Sequence, residues 1–152
     1  DAAGHGAGYR TAAARMASRM SDYDGEDAPY WDGLAAGKLL LPRCCGCRAW
    51  RWPADHRCGG CGTTAVDWCE QAMTATVFSW TRTWHRFALT ESLELPFVSI
   101  VAELDDSGVR LMGRFEDADP ANPVIGERVR AHIGATRVGD RDIPTLIWSR
   151  AA

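Results

Sequence analysis

Long hydrophobic runs are missing from this 152-residue sequence. No apolar stretch approaches the roughly 18 residues that a membrane-spanning helix needs. The opening Asp1-Ala2-Ala3-Gly4-His5-Gly6 lacks the basic-then-apolar order of a secretory signal. No membrane partner is therefore expected, and the chain reads as cytoplasmic. Its first residue is not methionine, which fits a processed chain or a domain of a longer one. Lysine is almost absent as well: of 17 basic residues, all but Lys38 are arginine. Recognisable catalytic motifs are also scarce. The sequence carries no Gly-rich phosphate loop, serine elbow or paired-carboxylate motif, and His5, His56, His85 and His132 are scattered. No catalytic residue is assigned, and activity of the chain by itself is left open.

Cysteine, by contrast, is patterned. Cys44-x-x-Cys47, ten residues, then Cys58-x-x-Cys61 is the double-knuckle spacing of a zinc ribbon. Each short loop lets two thiolates converge at about 2.3 Å on one tetrahedral ion, and Gly46, Gly59, Gly60 and Gly62 free the turns. Four protein ligands close such a site, so its zinc is structural. An iron site of rubredoxin type shares the geometry and would make an electron carrier; a disulfide staple is disfavoured without a secretory signal. Cys45 is adjacent to Cys44 and could replace it as a ligand. Cys69 falls in an expected strand and reads as a small buried hydrophobe.

The fold class is mainly β, with N-terminal helices, a rubredoxin-like zinc ribbon and a five-stranded OB-fold barrel. Tyr9, Ala13, Met16 and Met20 at helical spacing predict a first amphipathic helix. A second is punctuated by Asp27 as cap, Pro29 in the first turn and Gly37 as stop, with Tyr30, Trp31 and Leu34 on its apolar face. That face must lie on the rest of the chain or on another protein. Residues 38–43 lead as a strand into the first knuckle. From residue 66 onward the sequence reads as β. Val66 to Arg82 forms one long strand or bent pair, and Phe97 to Leu104 an apolar strand. Asp105-Asp106-Ser107-Gly108 turns it into the alternating Val109–Phe115 strand, and two more strands follow around Val129–Ile133 and Ile143–Trp148. The expected domains are 1–37 (helices and linker), 38–65 (zinc ribbon) and 66–152 (barrel).

Tyr30-Trp31-x-Gly33-Leu34, Gly37-x-Leu39, Pro42-x-Cys44-x-x-Cys47, Trp52-Pro53 and Cys58-x-x-Cys61-Gly62, followed by the barrel, occur in one order. This order resembles the acyl-CoA-associated zinc-ribbon/OB-fold family, known as domain of unknown function 35. The resemblance runs from about Pro29 to Trp148. Cys44-Cys45-Gly46-Cys47-Arg48 departs from it, because the family often has Gly directly after the second Cys. The resemblance implies a non-catalytic subunit that supports a thiolase-fold acyl-CoA enzyme, either a thiolase or a retro-aldolase, including aldolases of steroid side-chain degradation. An enoyl-CoA hydratase is a further implied partner. It also implies that a coenzyme A ester is a ligand shared with the partner.

Two segments bear on that role. Arg43, Arg48, Arg51 and Arg57 cluster around the cysteines, either as a solvated face or as contacts for the phosphates of coenzyme A. Trp84 and Phe87, in the long connection between the first two barrel strands, could dock a partner together with Tyr30, Trp31 and Leu34; packing over the barrel end is the other reading. Single-stranded nucleic acid is the alternative ligand, since zinc ribbons and OB barrels both bind it. A net charge of −3 and the lack of a basic-aromatic stripe across the strands count against it.

Overall fold

The computed structural model describes residues 25–119 and 121–151. The helix expected around Tyr9–Met20 lies outside the described residues. Among those residues there is one helix, α1 (Ala28–Ala35), and seven strands: β1 (Leu40–Cys44), β2 (Val66–Glu70), β3 (Thr74–Thr83), β4 (Phe97–Leu104), β5 (Arg110–Phe115), β6 (Arg128–Val138) and β7 (Arg141–Arg150).

Helix α1 has the expected proline in its first turn. Asp27 does not cap it with its carboxylate, which instead accepts the indole N–H of Trp31 at 3.0 Å. The helix closes on Gly37, at φ +80°, with Gly37 N–H donating to Leu34 O and Lys38 N–H to Gly33 O. This paired closure uses the left-handed residue that glycine supplies without strain. One face of α1 packs on β1 and on β7, so the helix bridges two sheets. Gly33 permits the approach: a Cβ there would lie 2.8 Å from Leu40 Cγ.

The first sheet is the antiparallel pair β1–β2, in register from Leu40↔Glu70 to Cys44↔Val66. The continuous β-forming run from Val66 to Arg82 is thus two strands in different sheets, parted at Gln71–Met73, and the stretch read as the barrel's first strand begins in the ribbon's sheet. The remaining strands form a closed barrel in the order β3-β4-β5-β7-β6. The β5–β7 contact is parallel and the other pairings are antiparallel. That is the five-stranded Greek-key order of an OB barrel. The β4–β5 hairpin turns at the expected residues, with Gly108 at φ +67°.

Alternation along these strands fills the interior. Ala75, Val77, Ile100, Ala102, Leu104, Leu111, Val129 and Leu146 are buried around a fully buried Trp148. Gly113 leaves room for that indole, because a Cβ there would stand 2.6 Å from Trp148 Nε1 and 2.5 Å from Leu146 O. Tyr30, Leu34, Leu39 and Leu41 belong to the same buried cluster, so helix, ribbon and barrel share one core.

Arg150 at the end of β7 fastens the long loop between β5 and β6. Its backbone N–H donates to Asp117 Oδ2 at 2.7 Å, and its guanidinium reaches Glu127 and the carbonyls of Asp119, Ala121 and Asn122. The amide of Arg150, then that of Asp119, holds the Asp117 carboxyl below its usual range; the Arg128 guanidinium does the same for Asp105. Both groups ionise at lower pH in the folded chain than in the unfolded one. Their ionised forms therefore stabilise the fold above the ordinary carboxylate pKa of about 4, and that contribution is lost as the pH falls below it. Urea midpoints measured from pH 7 to pH 3 are expected to fall on acidification, and to fall less steeply in Asp117→Asn. An unchanged slope in that variant would show that the carboxylate contributes nothing to the difference.

Candidate metal centre and exposed loops

Two turns carry the four sulfurs. The first follows β1 directly, and the second is a short loop before β2, so the β1–β2 pairing brings the knuckles face to face. The Sγ atoms of Cys44, Cys47, Cys58 and Cys61 all lie within 4.8 Å of one another. Cys44 and Cys61 are 3.5 Å apart, and Cys47 and Cys58 are 3.6 Å apart. A tetrahedral ion with Zn–S bonds of about 2.3 Å separates its sulfurs by about 3.8 Å, so donor type, number and spacing all fit zinc. Gly46 lies against the second knuckle, where a Cβ would come within 3.0 Å of Cys61 Sγ.

Backbone amides favour the thiolate at two of these thiols, Cys44 and Cys58, while hydrogen bonds with those neighbouring sulfurs push Cys47 up to about 11. The N–H of Cys47 points at Cys44 Sγ, 3.5 Å away, and lowers that thiol to about 6. The amides of Cys61 and Gly60 lower Cys58. Cys45 lies outside the cluster with its side chain exposed, and partial desolvation followed by the Asp67 carboxylate pushes its pKa up. The sulfurs that the structure brings together are therefore those of Cys44, Cys47, Cys58 and Cys61, with Cys44 rather than Cys45 in the cluster. Cys69 is only half buried in β2.

Arg48 stands directly after Cys47 at φ +62°, and Gly62 stands directly after Cys61 at φ +76°. Both knuckles thus end in a left-handed residue, and the first does so with a side chain that disfavours it.

The four ribbon arginines have partners inside the chain. Arg43 Nε donates to Arg48 O, and its guanidinium stacks 5.0 Å from the Trp50 ring centroid. Arg48 pairs with Asp67, and Arg57 donates to Gly62 O at 2.8 Å. Arg51 is buried and donates to the Asp55 carbonyl, so it does not face solvent as a phosphate contact would require. Of the side chains expected to dock a partner, Tyr30 and Leu34 are buried within this chain. The Tyr30 ring packs 4.5 Å from Trp52, and the apolar face of α1 is covered by β1 and β7. Trp31 is half buried. Trp84 and Phe87 are open to solvent, at 65% and 62% exposure, and do not pack over the barrel end.

Sequence reasoning did not single out Leu89. It is 63% exposed at φ +70° in the same 84–96 loop. The loop forms one wall of a groove of about 750 Å³, lined also by Phe97, Arg114 and Phe115. Outside the loop, Met112 on the barrel wall and Val124 and Ile125 are exposed apolar residues.

Two family models match consecutive segments: the rubredoxin-like zinc ribbon domain of ChsH2 over residues 31–67, and the C-terminal OB-fold domain of ChsH2 over residues 68–134. The chain belongs to the ChsH2-type zinc-ribbon/OB-fold family. Among solved structures it is similar to a chain described as "Ltp2-ChsH2(DUF35) aldolase", at 24% identity and a TM-score of 0.76, covering 86% of this chain and 98% of that one. It is also similar to a DUF35-family protein of unknown function from Sulfolobus solfataricus, at 17% identity and a TM-score of 0.56, covering 90% and 94%. No curated protein matches the sequence. No helix among the described residues is long and apolar enough to cross a membrane.

Two outcomes test this geometry. The purified chain is expected to be colourless with about one zinc per chain; Cys47→Ser should lose the ion and Cys45→Ser should keep it. Metal loss in Cys45→Ser would overturn the ligand assignment. Arg48→Gly should raise unfolding stability by about 1 kcal/mol, because relief of the left-handed strain exceeds the loss of an exposed ion pair; a lower urea midpoint would contradict this.

Proposed function

We propose that this chain is a non-catalytic subunit of a thiolase-fold acyl-CoA enzyme, an aldolase in the first instance. In this reading it supports the partner's fold and helps enclose a coenzyme A ester that the partner holds. The observation that carries it is the ordered pair of ChsH2-family domains, together with a fold that over 86% of this chain matches 98% of a chain described as "Ltp2-ChsH2(DUF35) aldolase".

The chemistry of the chain supports an accessory role. Acyl-CoA carbon–carbon cleavage needs a nucleophile or base, a positioned partner and an oxyanion site. Four of the six cysteines make one closed cluster, which leaves no open coordination position for a substrate. Arg43, Arg48 and Arg57 retain surface that could face the coenzyme A phosphates, and Arg51 does not. Steroid side-chain CoA esters are the substrate class that we assign to the partner. An enoyl-CoA hydratase is a second component of the proposed assembly.

Purification of the tagged chain from its native cells, followed by mass spectrometry, is expected to recover a thiolase-fold subunit at a defined stoichiometry. Retro-aldol cleavage of a CoA ester should be lower for that subunit alone than for the complex. Recovery of no such subunit, or equal activity with and without this chain, would sink the proposal.

A further inference from the structure

A hydrophobic side chain in water, on a backbone conformation that disfavours it, needs a reason outside the isolated fold. Leu89 is such a residue, at φ +70° and 63% exposure. The surrounding loop is braced by its own hydrogen bonds. Phe87 N–H donates to Thr90 Oγ1, whose hydroxyl donates back to Phe87 O at 2.7 Å. Leu89 N–H donates to the Glu91 carboxylate, and Arg86 donates to the Glu91 carbonyl. Ser92 Oγ ties the returning limb to the Arg137 carbonyl in β6. This bracing fixes Trp84, Phe87 and Leu89 in outward positions rather than folding them onto the barrel.

At 62–65% exposure, side chains of roughly 150–250 Å² each present about 300–400 Å² of apolar surface within six residues. That rivals the largest patch on a typical monomer and is close to half of one partner's share, about 800 Å², in a standard interface. The limb carrying Trp84 and Phe87 also bears Arg82, His85 and Arg86. Neither arginine has a carboxylate ion pair among the described residues: Arg82 reaches the Asn122 side-chain oxygen, and Arg86 a backbone carbonyl. Glu91 and Glu94 lie on the returning limb.

The geometry points to the 84–96 loop as a preformed finger, with Trp84 at its base beside Arg82 and Phe87 and Leu89 further along it, that inserts into an apolar pocket of the partner enzyme rimmed by carboxylates opposite Arg82 and Arg86. The inference rests on the proposed subunit role and adds the place and chemistry of the contact. Rigid aromatic anchors in a desolvated pocket are the side chains that dominate binding energy, and an already ordered loop loses little entropy on docking.

The discriminating variant is Leu89→Gly, because glycine adopts φ +70° without strain and has no side chain to insert. In the isolated chain its urea midpoint should equal or exceed that of wild type. Its affinity for the thiolase-fold subunit recovered with the tagged wild-type chain should fall at least about tenfold, as should that of Phe87→Ser. Met112→Ser, on the barrel wall, should bind as wild type does. Binding should also weaken with rising salt. A lower midpoint for Leu89→Gly would show that Leu89 holds the fold, and undiminished affinity in Leu89→Gly and Phe87→Ser would show that the finger is not the contact. Either result overturns the inference while leaving the subunit role intact. Failure of the wild-type chain to bind any thiolase-fold subunit would instead remove the subunit role itself.

Discussion

Four sulfur atoms within 4.8 Å of one another set the terms for the N-terminal half of this molecule. As thiolates they would repel strongly, and a divalent cation at their centre would turn that repulsion into attraction. The ribbon has little else. Its sheet is a single pair of short strands, and an isolated two-stranded sheet is marginal in water. The ribbon is also held from beneath. Leu39 and Leu41 on β1 join Tyr30 and Leu34 of α1 in a core continuous with the barrel. The arginines around the knuckles complete the frame, capping carbonyls and covering Trp50 rather than standing free.

The parts of the fold that follow from local chemistry could be read in the sequence. The cysteine spacing, the Gly37 stop of α1, the Gly108 hairpin and the alternation in β5 each depend on residues a few positions apart. The parts that depend on distant partners could not. Val66–Arg82 contains no glycine or proline, so nothing local marks the change from the ribbon's sheet to the barrel's; only the pairing of β2 with β1 reveals it. The apolar stripe of α1 said that something covers Tyr30 and Leu34, but not that the cover is β1 and β7. A run of arginines looks the same in sequence whether it faces water or, like Arg51, lies inside. Leu89 gave no signal at all, because a left-handed leucine is written with the same letter as any other.

The barrel constrains how this chain can meet another protein. A closed sheet offers no free strand edge to extend, so recognition falls to its loops and outer wall. Of the exposed apolar side chains, the wall contributes Phe78, already stacked under Arg110 at 3.5 Å, and Met112. The 84–96 loop contributes three within six residues. Val124 and Ile125 add two more in the β5–β6 loop, so the 84–96 loop holds the densest group among the described residues.

The position of β7 also dictates an order of events on the ribosome. The metal ligands and both strands of the ribbon's sheet are contained between Leu40 and Glu70, so that unit is complete while the barrel is still being synthesised. The barrel is not, because β7 pairs with both β5 and β6, packs against α1, and carries the arginine that fastens the β5–β6 loop. A nascent chain that pauses before residue 141 therefore holds the complete ribbon strands and cysteines beside a sheet that lacks its closing strand. Its strand edges stay open to neighbouring nascent chains until the last ten-residue strand emerges to close them.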